Sequence, residues 1–141
     1  METKELNIEA EVDNLSAVQT FLKEQLDEAG CPKKKWMQIR VAAEEIFVNI
    51  ASYAYAPGKG MASVRIEIGK EPAAYAEITF FDRGTPYNPL KKEDPDITLS
   101  VMEREVGGLG IFMTKKLMDD IWYEYKDGQN ILTMKKNIQE E

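Results

Sequence analysis

One segment constrains the fold more than any other. From Lys33 to Tyr55 the chain reads as a single long helix, and from Val41 onward it is almost wholly apolar. Ala42, Ala43, Ile46, Phe47, Val48 and Ile50 would wrap most of its circumference, so other elements must cover it. Pro57-Gly58 stops it. Within this run Glu45 and Asn49 lie four apart, one turn from each other on the same face. Polar groups in such surroundings cost a few kcal/mol unless something satisfies them. The pair is either a solvated stripe or part of a site whose ligand supplies the partners. Glu44 points roughly 100° away and reads as an exposed helix former.

The remaining elements follow from period and punctuation. Leu6, Ile8, Ala10 and Val12 alternate with polar residues and predict a half-buried strand. Asn14 reads as the N-cap of a helix with apolar positions Leu15, Val18, Leu22, Leu26 and Ala29, closed by Gly30. Val64, Ile66 and Ile68 predict a second strand, and Tyr75–Phe81 a third, with a turn at Gly69–Pro72. A helix from about Leu109 to Met118 precedes two strands, Ile121–Tyr125 and Ile131–Lys135, joined at the hairpin signal Asp127-Gly128. This order predicts an α+β fold: a two-layer α/β sandwich whose mixed, mainly antiparallel sheet carries three helices on one face. With 141 residues and no repeat or linker, residues 1–141 read as one domain. Residues 88–106 are polar and irregular; a loop of that length is usually functional or disordered. It is expected to move without ligand and to order with it.

Composition removes several functions. The chain has no histidine, which excludes His-based triads, His-ligated zinc and a phosphohistidine made on this chain. A net charge of −7 disfavours direct nucleic-acid binding, which rests on Lys and Arg against phosphates. No apolar run approaches the ~18–20 residues that span a bilayer, so no membrane partner is expected. The acidic start lacks the basic region of a signal peptide, and the single Cys31 cannot close an internal disulfide. Both agree with a cytoplasmic protein.

Two further motifs carry chemistry. Asp82 ends the strand Ile78-Thr79-Phe80-Phe81, where a carboxylate can accept a hydrogen bond from the exocyclic amine of adenine, which guanine lacks. Gly84 beside it permits close backbone approach to a flat base. A plain strand-ending turn explains Asp82-Arg83-Gly84-Thr85-Pro86 equally well. Gly107-Gly108-Leu109-Gly110 opens a helix, and backbone N–H groups at a helix N-terminus suit phosphate. The Gly-Lys-Ser/Thr ending of a Walker loop is absent. Arg104 is placed to pair with a terminal phosphate, whereas Lys115 and Lys116 read as a solvated helix face. In order, the three motifs describe a site for a magnesium-bound adenine nucleotide, with Asn49 able to ligate Mg²⁺ through its amide oxygen and Glu45 able to act on an attacking hydroxyl or water.

The sequence Glu45-x3-Asn49, Asp82-x-Gly84-x-Pro86, Gly107-Gly108-Leu109-Gly110 resembles the N, G1 and G2 boxes of the GHKL, or Bergerat-fold, ATPases. Within that superfamily the chain is most similar to the small bacterial anti-sigma factor serine/threonine kinases. The resemblance implies Glu45 as general base, Asn49 as magnesium ligand and Asp82 as the adenine-reading acid. It further implies Gly84 in the base pocket and Gly107, Gly108, Leu109, Gly110 and Arg104 around the phosphates. Thr133 matches a threonine that helps Asp82 bind adenine through water, and residues 88–106 match the ATP lid. Many such kinases carry His-Ala/Gly-Tyr after the N box, where this chain has Tyr53-Ala54-Tyr55. The implied function is an ATP-binding anti-sigma regulatory kinase with two protein partners, a sigma factor and a STAS-type antagonist that it phosphorylates. A homodimer is compatible with the resemblance. The alternative is a non-enzymatic module of the same fold, for which a carboxylate one turn from the metal ligand has no use.

Overall fold

The computed structural model describes residues 2–91 and 108–139. Five strands form one sheet: β1 (Glu2–Glu9), β2 (Met61–Gly69), β3 (Tyr75–Asp82), β4 (Asp120–Lys126) and β5 (Gln129–Asn137). Their order is β1-β2-β3-β5-β4, and all four pairings are antiparallel. The expected mainly antiparallel α+β sandwich is therefore present, with no parallel pair among the described residues. Three helices, α1 (Leu15–Glu28), α2 (Lys33–Asn49) and α3 (Gly108–Leu117), cover one face.

Alternation fixes which face. In β3, Ala76, Ile78, Phe80 and Asp82 are buried while the residues between them are half-buried. The core joins Val18, Leu22 and Leu26 of α1 and Ile39, Ala43, Ile46 and Phe47 of α2 to Val64, Ile66, Ile78, Phe80, Leu132 and Met134 of the sheet. The chain-distant pairing of β3 with β5 puts Asp82 opposite Asn130, at the end of the sheet where α2 also ends.

Local details agree with the residue types, with two exceptions. Gly30 takes φ +75°, and the Cys31 and Gly30 N–H groups donate to Leu26 and Asp27 carbonyls, which closes α1 as a glycine cap. Asp127 and Gly128 both have positive φ, as the two-residue hairpin requires. Asn14 does occupy the N-cap position of α1, but it makes no side-chain cap bond: it ends a 3₁₀ turn (Val12–Asn14), and its side-chain amide donates to the Glu9 carbonyl at 2.9 Å. The first strand also stops at Glu9 instead of reaching Val12, because its partner ends at Met61. No described helix is long and apolar enough to cross a membrane.

Candidate functional site

The C-terminal end of α2 shapes the site. After Asn49 the helix widens into a π-helical turn, Ile50–Ala54. Such turns interrupt the regular ladder and are frequent at functional sites. This one delivers Ala54 to the exit of β3, where the Ala54 carbonyl accepts from the Thr85 N–H at 2.9 Å. A methyl group on Gly84 would overlap the Ala54 backbone. The glycine in this motif thus serves the close approach of helix end to loop, and it is not among the cavity-lining residues. Gly84→Ala should force two backbones apart and cost about 1–3 kcal/mol, read as a lower urea midpoint at unchanged slope.

One turn before that point, Glu45 and Asn49 are both half-buried. The Asn49 side-chain N–H donates to Glu45 Oε2 at 2.8 Å. This bond leaves the Asn49 amide oxygen without a hydrogen bond among the described residues, on the wall of a cavity. Glu44 is exposed, as its position on the helix predicts. α3 packs along α2 and begins at Gly108, so the backbones of Gly108, Leu109 and Gly110 form its first turn. A methyl group on Gly110 would overlap the Glu45 carboxylate. Buried Thr114 donates back to the Gly110 carbonyl at 2.9 Å. Glu45 and Gly110, more than 60 residues apart in the chain, are therefore in contact. Arg104, Gly107 and most of the expected lid lie outside the described residues.

The cavity beside them measures about 470 Å³. Ile46, Asn49, Ile50 and Ile111 form its helical wall, and Phe80, Leu132, Asp82 and Asn130 its floor. Tyr53, Tyr123 and the loop Thr85–Tyr87 stand around it. The size suits a nucleotide base, and an apolar wall with a few convergent polar groups is the usual character of a ligand pocket. Asp82 is 6% exposed. Its Oδ1 accepts from the Gly84 N–H and from the Asn130 side-chain N–H, each at 2.9 Å. Its Oδ2 accepts nothing among the described residues.

Thr133 is not beside Asp82. It lies on the opposite face of the sheet, paired with Thr79, and the two hydroxyls are 3.2 Å apart. The position next to the carboxylate belongs to Asn130, which sequence reasoning missed. Strand parity held the signal: Asn130 shares its parity with buried Leu132 and Met134, and Thr133 does not. The Asn130 amide oxygen accepts from the Tyr87 N–H at 3.1 Å and from the Tyr123 hydroxyl. Burial pushes the Tyr123 hydroxyl pKa up; a hydrogen bond at the Tyr87 backbone opposes this, and the charges of Asp82 and Tyr125 add to it. Tyr123 therefore stays protonated, and a donor, at neutral pH.

The donor set suits a hard cation. No cluster of three or more carboxylate, cysteine or histidine side chains able to cage a metal occurs among the described residues. A single amide oxygen beside a carboxylate matches the way Mg²⁺ binds, with few protein ligands, several waters and substrate phosphates.

Comparison with known proteins shows what the chain is similar to. Residues 8–136 match the family described as Histidine kinase-like ATPase domain. Among curated proteins, the serine/threonine-protein kinase BtrW of Bordetella bronchiseptica is 26% identical over 96 residues, which cover 68% of this chain and 66% of BtrW. A crystal structure of the RsbU and RsbW domains of Rv1364c from Mycobacterium tuberculosis superposes with a TM-score of 0.71 at 17% identity. That match covers 100% of this chain and 34% of the other, and at such identity it establishes a common fold. The chain thus spans slightly less than two thirds of the curated relative's length and about a third of the mycobacterial chain.

Proposed function

Since the chain belongs to the histidine kinase-like ATPase domain family, we propose that it binds Mg-ATP in this cavity and transfers the terminal phosphoryl group to a serine or threonine hydroxyl of a second protein. The observation that carries this reading is the contact between Glu45 and the first turn of α3, with the Asn49 amide oxygen beside it on the cavity wall. A carboxylate held where phosphate-binding N–H groups begin is placed for chemistry at the far end of the nucleotide. A module that only binds ATP gains nothing from it.

Asp82 Oδ2 accepts from the adenine amino group, and the apolar wall of Ile46, Ile50 and Ile111 covers the base. The backbone N–H groups of Gly108, Leu109 and Gly110 hold phosphate, helped by the positive end of the α3 dipole. Arg104 and Gly107, outside the described residues, are assigned to the same phosphates from their positions in the sequence. Glu45 orients the incoming hydroxyl and takes its proton as the new P–O bond forms and the bond from the γ-phosphorus to the bridging oxygen breaks, with ADP leaving. Asn49 would hold magnesium through its amide oxygen, and the ion would supply neutralisation of charge on the phosphate oxygens.

The name of the curated relative, a serine/threonine-protein kinase, supports transfer to a protein hydroxyl, and the resemblance of the three motifs to the anti-sigma factor kinases supplies the setting. In that setting the ATP-bound protein withholds a sigma factor from RNA polymerase. Phosphorylation of a STAS-type antagonist, in the cytoplasm, keeps it free to do so. With no histidine and Cys31 distant in sequence from the three motifs, transfer passes directly from ATP to the partner. Incubation of this protein with Mg-ATP and an antagonist encoded nearby should add one phosphate per antagonist, read by intact-mass spectrometry. Tight binding of an unmodified antagonist would replace the kinase reading with that of a non-enzymatic module.

A further inference from the structure

We infer that Asn130 is the positioning residue that aims the Asp82 carboxylate at the nucleobase, and so sets the preference for adenine over guanine. The inference rests on the ATP reading above and adds to it a residue that none of the three motifs contains.

A carboxylate offers two oxygens, and the one that faces a ligand is decided by what holds the other. Here Asp82 Oδ1 is held twice, by the Gly84 N–H and by the Asn130 side-chain N–H, both at 2.9 Å. Asp82 is buried, and Oδ2 is the oxygen left for the cavity. A half-turn about the Cβ–Cγ bond merely exchanges two equivalent oxygens, whereas any smaller rotation away from this plane would break both bonds.

Asn130 can perform this task because it is itself fixed. Its NH₂ donates to Asp82 Oδ1 and to the Thr85 carbonyl at 3.0 Å, and its oxygen accepts from the Tyr87 N–H and the Tyr123 hydroxyl. All four places around the amide are used. A flipped amide would point donors at donors and oxygen at oxygen, so only one orientation is stable. Other residue types do not fit: aspartate has no donor for Asp82, and threonine has one hydroxyl for four partners. Asn130 therefore joins three things, the base-reading carboxylate, the loop Thr85–Tyr87 on the cavity rim and Tyr123 of β4. The Asp127-Gly128 turn fixes its register, placing it across from Asp82.

The test is titration calorimetry of Mg-ATP and Mg-GTP against the whole chain and its Asn130→Leu variant, which keeps the branched outline and heavy-atom count and removes both amide functions. ATP affinity should fall about tenfold or more, the loss expected when a buried charge-assisted bond is removed. GTP should change by no more than about threefold, so the ATP/GTP ratio narrows, since a freed carboxylate no longer presents a fixed acceptor to guanine O6. Equal weakening of both nucleotides, or an unchanged ratio, overturns the inference and leaves Asn130 a packing residue. Should Asn130→Leu fail to fold, Tyr123→Phe removes one donor to Asn130 with no loss of packing, and should narrow the ratio by about threefold; no narrowing there overturns it equally. Absence of any ATP preference in the unmodified protein would instead remove the adenine reading itself, a result visible before any variant is made.

Discussion

Glu45→Ala retains Mg-ATP binding and loses about 10²–10⁴-fold in phosphoryl transfer, the usual contribution of a positioned general base. The separation follows from where the carboxylate sits. Glu45 touches Gly110 at the start of α3 and is not among the residues that line the cavity beside Asp82, so its removal should leave the adenine contacts intact. It also releases the Asn49 N–H that Glu45 Oε2 accepts, a half-buried group to which water has access. Asn49→Ala, by contrast, should lose nucleotide affinity and transfer together, since the amide oxygen is the proposed metal ligand. Single-turnover transfer from labelled ATP, measured beside equilibrium binding, checks both variants. Transfer at the normal rate by Glu45→Ala would remove the assignment of the base.

Asp82→Asn should do more than weaken ATP. Oδ1 accepts two N–H groups, so an asparagine at this position keeps its oxygen there and turns its NH₂ toward the cavity. That NH₂ meets the adenine amino group donor to donor, but guanine presents O6 as an acceptor. ATP affinity should therefore fall by about 10- to 100-fold, a loss of roughly 1–3 kcal/mol, while GTP affinity holds or rises. Asp82→Ala should weaken ATP without helping GTP, and it should also lower stability, because the Gly84 and Asn130 donors lose their shared buried acceptor. Calorimetry with both nucleotides and a urea titration of each variant separate these effects. An ATP/GTP ratio that Asp82→Asn leaves unaltered would show that Asp82 does not read the base.

Much of this molecule is determined by short-range pattern. Period and punctuation place α2 and its stop, the Gly30 closure of α1, the Asp127-Gly128 hairpin and the alternating strands, because helix and strand periods are properties of neighbouring residues. Glu45 and Asn49 share a face for the same reason. The membership in the ATPase family is equally legible, carried by three motifs whose order survives in one dimension. What the tertiary structure decided is who meets whom. Gly84 reads locally as room for a ligand, yet the space it leaves is taken by the Ala54 backbone. Asn14 has the residue type of a cap, but the carbonyl of Glu9 is within its reach and it bonds there instead. Thr133 has suitable chemistry on the wrong face of β5, and Asn130 has it on the right one. Each of these depends on a distance between segments far apart in the chain, on cross-strand register or on backbone approach, and such distances exist only once the sheet has closed and the helices have packed on it.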